Sequence, residues 1–278
     1  MTSTTSTDLY LDLLAKALTR ALFEDNDQIV GLINSWTKAS WKSRLGVKAA
    51  PILAKARLEL VRKRPYDAMA RETGRDWPAR AESMAGLRRM ANSRLCIETV
   101  LIDGVPGDVV ETGVWRGGMS IFMRGVLAAH GVTGRRVWLA DSFEGLPPAS
   151  AETYPADAGA NFNFAFLSVS VEEVRRNFTR YGLLDDQVRF LVGWFKDTLP
   201  TAPIDEISVL RLDGDMYQST IEALEPLYPK LSPGGFCIVD DYGTINASRQ
   251  AIHDYRVTHQ ITDEILDIDG WAAYWRKS

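Results

Sequence analysis

The chain has 278 residues, of which 46% are hydrophobic and 10% aromatic, enough to bury one substantial core and to exclude a disordered chain. No run approaches the roughly 18 apolar residues of a membrane helix, and the opening MTSTTSTDLY lacks the apolar stretch of a signal peptide. A soluble, cytoplasmic protein is therefore expected, with neither a nucleic-acid nor a membrane partner. Cys96 and Cys237 sit far apart in apolar-rich segments and read as reduced core residues, which argues against a thiolate zinc site. The net charge of −4 hides an asymmetry: nine bases from Lys38 to Arg64 face the single acid Glu59, a local +8 that leaves −12 for the rest. This stretch, with Trp36 and Trp41 beside it, reads as a solvated helix face in preference to a docking element.

In chain order, Leu11, Leu14, Leu18, Ala21 and Leu22 recur at helical spacing and predict an amphipathic helix over residues 8–23, packed on the main body. Residues 24–65 are mixed and partly helical in expectation, and Arg64-Pro65 ends them because proline disfavours the α conformation before it. Asp76-Trp77-Pro78 then opens a helix over 79–102. From Gly107 the pattern becomes short β-rich runs alternating with helices. Strands are expected at Asp108–Glu111, Arg136–Ala140, Val188–Val192, Ile207–Leu212, Gly235–Asp240, Glu264–Ile268 and Ala272–Arg276. Asp269-Gly270 between the last two is a hairpin signal, so the sheet should end antiparallel. The fold class is α/β, a mostly parallel seven-stranded sheet of the Rossmann-like class I methyltransferase layout, although the layout alone also fits other nucleotide-binding folds. Residues 1–78 form an N-terminal helical extension and 79–278 the main domain. Pro147 to Ser168, with Tyr154, Phe162, Phe164 and Phe166, is long enough to be a lid.

The run Asp108 to Gly118 carries an apolar strand into a glycine-bearing turn and a helix, Met119 to Ala129, where a nucleotide-like ligand sits in such sheets. Free amides at the helix start would favour a ligand carboxylate. The glycine spacing, Gly113 then Gly117-Gly118, departs from the dinucleotide pattern and lacks a P-loop lysine, which demotes NAD and ATP. Glu111 before the first glycine suits a cofactor with a cationic end. Asp141, at the tip of the next strand, can bind ribose hydroxyls. Asp213 and Asp215 end the fourth strand and Asp240 and Asp241 the fifth, so four carboxylates converge on one sheet edge. Without a cation they would repel one another, and an all-oxygen set suits a hard ion such as Mg²⁺ or Mn²⁺. Such an ion would activate a hydroxyl while a carboxylate removes its proton.

Five runs between residues 76 and 243, AESMAGLRRMANSRLCIETVLIDGVPGDVVETGVWRGGMSIFMRGVL, LADSFEGLPP, VGWFKDTLP, LRLDGDMYQST and GGFCIVDDYG, occur in an order that resembles the macrocin O-methyltransferase family. That resemblance implies S-adenosylmethionine as cofactor and a deoxysugar hydroxyl of a glycosylated natural product as acceptor. It further implies Asp213, Asp240 and Asp241 as Mg²⁺ ligands and Asp215 as general base. Glu111, Thr112, Gly113 and Gly117 would line the methionine portion of the cofactor, with Met84 covering its end, Asp141 and Ser142 at the ribose, and Gly193-Trp194 near the adenine. A homo-oligomer is compatible with it. Residues 30–65 follow no family pattern. A catechol-type phenol O-methyltransferase shares the metal logic and differs in the acceptor, a non-catalytic cofactor-binding module is disfavoured by the four aspartates, and a nicotinamide-dependent reductase is disfavoured by the glycine spacing.

Overall fold

In the computed structural model, which describes residues 4–24, 27–29, 53, 55–58, 60–160 and 165–278, the chain opens on helix α1, Ser6–Leu18. Thr5 and Asp8 cap each other's backbone amides at its start, a reciprocal box that satisfies two otherwise unpaired donors. Leu11, Leu14 and Leu18 share one face, which is buried in the same core as Met119, Phe122 and Val126. The helix stops short of residue 23: Thr19 turns its hydroxyl back onto the Ala15 carbonyl, and Arg20 takes a left-handed backbone with φ 57°. The described part of 24–65 is mixed: Leu53 and Lys55 are helical, and a two-residue antiparallel pair joins β1 (Gln28–Ile29) to β2 (Val61–Arg62). Of the basic run, Lys38, Lys42, Arg44 and Lys48 lie outside the described residues, as do Trp36 and Trp41. Lys55, Arg57, Arg62, Lys63 and Arg64 are exposed, as a solvated face requires.

After the short helix α2 (Ala68–Glu72), residues 79–86 form an extended strap, and helix α3 begins only at Leu87, running to Ile102. Tertiary partners claim the strap's backbone. The Glu82 and Ser83 amides donate to the Leu18 carbonyl, the Glu82 carbonyl accepts from Gly118, and Arg116 donates to the carbonyls of Ala79 and Ala81. With those groups committed, the i to i−4 ladder of a helix cannot form there.

The sheet strands are β3 (Asp108–Thr112), β4 (Val137–Asp141), β5 (Val188–Val192), β6 (Ile207–Leu212), β7 (Leu231–Val239), β8 (Leu266–Asp267) and β9 (Ala273–Arg276). Their spatial order is β5-β4-β3-β6-β7-β9-β8, with the first five parallel and β9 antiparallel to both neighbours. Between them run α4 (Gly118–Ala129), α5 (Val171–Arg180), α6 (Phe195–Thr198), α7 (Tyr217–Leu227) and α8 (Asn246–Thr258). Alternation along a strand splits the core: Val109 packs beneath α1, α3, α4 and α5, and Val110 packs beneath α7 and α8. Cys96 and Cys237 are buried free thiols, and among the described residues no helix is long and apolar enough to cross a membrane. The chain leaves β3 toward β4 on one side and returns to β6 on the other. The crevice between the tips of β3 and β6 is therefore the topological switch point, where open α/β sheets bind ligands.

Because Leu18 is fully buried where α1, the strap and α4 meet, Leu18→Ala should cost about 2–5 kcal/mol of stability in chemical denaturation. An unchanged midpoint would show that α1 is not part of the core.

Candidate active site

At the switch point the backbones of β3 and β6 nearly touch. A Cβ on Gly113, which has φ +81°, would lie 1.7 Å from the Asp213 carbonyl oxygen, so only glycine fits between the turn and the aspartate that follows β6. Asp141, ending β4, folds over the same turn: its Oδ2 accepts from the amides of Val114 (2.6 Å) and Trp115 (3.4 Å), and its Oδ1 from Phe143 (2.7 Å). Burial pushes its carboxyl up while these three amides pull it back. The turn amides before the helix are taken up internally: Val114 and Trp115 donate to Asp141, Gly117 donates to the Val114 carbonyl, and the first helical amide, that of Gly118, donates to the Glu82 carbonyl.

A cavity of about 640 Å³ opens beside the turn, and Met84, Gly113, Asp141, Ser142 and Trp194 line it. Met84 comes from the strap. Ser142 donates to the Gly145 carbonyl (2.7 Å) and accepts from the Glu144 amide (3.0 Å), which shapes the loop under the cavity. Glu111 lines a second, adjoining cavity of about 1290 Å³. Thr112, Gly117 and Gly193 line neither. Thr112 is buried with its hydroxyl 3.5 Å from the Arg211 carbonyl, Gly117 lies against Val174, and the Gly193 amide donates to the Asp141 carbonyl.

The two cavities meet at the aspartates: Asp213 and Asp215 border both, and Asp240 and Asp241 border the second. Carboxylate oxygens of Asp213, Asp240 and Asp241 lie within 4.8 Å of one another. Asp215 takes a left-handed backbone with φ 57°, and its amide donates to Asp241 (3.1 Å). A strained non-glycine conformation of this kind persists only where its surroundings enforce it.

The sequence reading missed the compensating charge. Arg211, the fifth residue of the fully buried β6, donates to Glu111 (2.7 Å), to Asp213 (2.9 Å) and to Asp240. Arg89 of α3 reaches the other oxygen of Asp240 and donates to Asp269 (3.0 Å) and the Thr73 carbonyl (3.1 Å). The acidic edge therefore does not lack cations, contrary to the argument from bare repulsion. Arg211 was visible as the one charge in the run Ile207–Leu212, whereas Arg89 looks like any polar residue of an amphipathic helix.

The electrostatics follow this wiring. Burial opposes the charge on Asp240, yet the two arginines overcome it and hold its pKa below the usual carboxylate range. Burial and the Asp240 charge push Asp213 up to about 6 against Arg211. Burial, with Asp213 and Asp240 adding to it, lifts Asp215 to about 7. Burial likewise lifts Glu111 to about 7, even though Arg211 and the Ser120 hydroxyl hold its two oxygens.

Pro147 and Leu167, from the two ends of the connection from Pro147 to Ser168, line the first cavity. Phe162 and Phe164 fall outside the described residues, but the connection is tied at two points. The Trp115 indole donates to the Phe166 carbonyl (2.9 Å), and fully buried Asp157 accepts from the amides of Tyr217 (2.8 Å) and Gln218 (2.9 Å). These amides open α7, whose own capping position is Met216, a residue with no side-chain oxygen. Asp157 supplies that cap from a distant segment, two residues beyond Asp215.

The fold and site define a methyltransferase of the Rossmann-like class. Residues 7–277 match the family described as Macrocin-O-methyltransferase (TylF). The chain is 52% identical over 271 residues to the 8-demethyl-8-(2,3-dimethoxy-alpha-L-rhamnosyl)-tetracenomycin-C 4'-O-methyltransferase of Streptomyces olivaceus, covering 97% of this chain and 92% of that one. It is 47% identical to the Mycinamicin III 3''-O-methyltransferase of Micromonospora griseorubida, across 100% of both. The solved structure of the O-methyltransferase NovP superposes with a TM-score of 0.82 at 45% identity, covering 98% of this chain and 100% of that one. The chain belongs to the macrocin O-methyltransferase family and is an S-adenosylmethionine-dependent O-methyltransferase.

Replacing Asp157 with alanine should leave α7 uncapped and lower stability by about 0.5–2 kcal/mol. Hydrogen exchange should quicken at Tyr217 and Gln218 in particular, and unchanged protection there would refute the cap.

Proposed function

We propose that this enzyme transfers the methyl group of S-adenosylmethionine to a hydroxyl of a (deoxy)sugar carried by a glycosylated natural product, with Mg²⁺ or Mn²⁺ held by Asp213, Asp240 and Asp241. The observation that carries the proposal is the meeting of both cavities at these aspartates and Asp215. The sugar acceptor is supported by the rhamnosyl-tetracenomycin and mycinamicin substrates in the relatives' names.

The three aspartates fit a hard divalent ion. Oxygens around Mg²⁺ at 2.0–2.1 Å stand roughly 3–4 Å apart, and the set within 4.8 Å closes on an ion with a small inward movement. Asp240 gives one lone pair of each oxygen to an arginine and keeps a second. When bound, the ion supplies Lewis-acid stabilisation of negative charge on oxygen. S-adenosylmethionine, when bound, supplies an electrophilic methyl on a sulfonium.

The chain's residues do the remainder. In this reading Asp141 and Ser142, which line the first cavity, would bind the ribose and Trp194 the adenine, with Met84 and Gly113 lining both cavities. Glu111, which lines the second cavity, would meet the cationic methionine portion. Asp215 receives the acceptor's hydroxyl proton, and a carboxylate lifted to about 7 exchanges a proton readily at neutral pH. Arg211 and Arg89 hold Asp240 ionised and aimed, so that the donor set is assembled before any ligand arrives.

Asp213→Ala should abolish metal-dependent turnover while calorimetry still finds cofactor binding within a few-fold of wild type; full activity in excess chelator would overturn the metal assignment. Asp215→Asn should lower kcat by roughly 10²–10⁴ with little change in cofactor Kd, as loss of a general base predicts. Turnover confined to catechols, with no glycoside methylated, would overturn the sugar assignment.

A further inference from the structure

Resting on the glycoside reading above, we infer that the second cavity contains an aglycone subsite, formed by Trp77 and Trp271, that receives a ring-bearing apolar group attached to the sugar. The Arg89 guanidinium that binds Asp240 also lies 5.7 Å from the centre of the Trp271 ring. The indole thus sits one guanidinium away from Asp240. Arg75 lies over the same ring at 5.6 Å and precedes Trp77 by two residues, and both tryptophans line the cavity that Asp215 borders.

Both residues are held in ways that packing alone does not demand. The Trp271 amide donates to Asp269 (3.0 Å), its carbonyl accepts from Gly243 (2.6 Å), and buried Asp269 is itself bound to Arg89. Its ring is therefore preorganised by the same arginine that orients Asp240. Trp77 lines the cavity with 42% of its surface exposed and a left-handed backbone, φ 44°. Such a conformation is a genuine outlier for a bulky residue, and strain of this kind gathers at ligand sites. An indole kept in water at a cavity wall gains its burial only when something apolar covers it.

The indole surface selects the occupant. The basic residues among the described lining of this cavity are Arg89 and Arg211, each bound to two or more carboxylates, and exposed Arg75 stands over the Trp271 ring beside it. Two indoles in one cavity lining offer apolar ring surface to a ring-bearing group.

The test compares 4-nitrophenyl α-L-rhamnopyranoside with methyl α-L-rhamnopyranoside as acceptors of the magnesium-loaded enzyme. Wild type should show a KM lower for the aryl glycoside by about tenfold, the size of one aromatic contact with its burial. Trp77→Ala should erase most of that preference by raising KM for the aryl glycoside alone, Trp77→Phe should retain it, and cofactor Kd and melting temperature should stay unchanged in both. Equal KM values for the two glycosides in wild type, or a preference that survives Trp77→Ala, overturns the subsite. An equal rise in both KM values on Trp77→Ala also overturns it, since the indole would then meet the sugar. Wild-type enzyme that methylates neither glycoside but does methylate another class of hydroxyl defeats the glycoside reading, and this inference with it.

Discussion

One buried guanidinium, that of Arg211, organises the centre of this enzyme. It lies within a fully buried strand and binds Glu111 on β3, Asp213 just past its own strand, and Asp240 at the end of β7. Removing so many charges from water is expensive, and the arrangement is tolerable only because every partner is paired and hydrogen-bonded. A lysine could not take its place, since its donors spring from a single nitrogen, whereas the planar fork of Arg211 reaches its three carboxylates from two. Arg89 completes the network from outside the sheet and ties α3 and the Asp267–Trp271 turn to the same aspartate.

From that network outward, each part of the site is supplied by a segment distant in the chain. The strap before α3 delivers Met84 to the junction of the cavities because its backbone is bonded to α1 and to the start of α4. Asp157 caps the helix that follows Asp215, so its segment and the proposed base are parts of one hydrogen-bonded structure. Gly113 permits the close approach of the β3 turn to Asp213 after β6.

Much of this was legible in the residues. Short β-rich runs alternating with helices marked the strands, and acids at their carboxyl ends marked the edge where the site lies. Asp141, Asp213, Asp215, Asp240 and Asp241 line the cavities there. The illegible parts share a physical reason, for each depends on a partner remote in sequence. The region 79–86 carries a helical apolar pattern, yet its amides and carbonyls are claimed by Leu18, Gly118 and Arg116. The bonds from Asp141 to the turn amides join residues 26 and 27 apart, and Arg89 had no local signal, since its carboxylates lie 151 and 180 residues away.

The layered α/β order, the glycine turn and the carboxylates at the strand tips were readable along the chain, because β-rich runs, turn chemistry and strand-end position are local properties. Only the tertiary structure decided how those carboxylates coexist, which amides remain for a ligand, and which tryptophans face the cavity. Charge compensation, backbone pairing and exposure are set by neighbours in space, and the fold brings Arg89, Arg211, Asp157 and Trp271 to places that no spacing along the chain discloses.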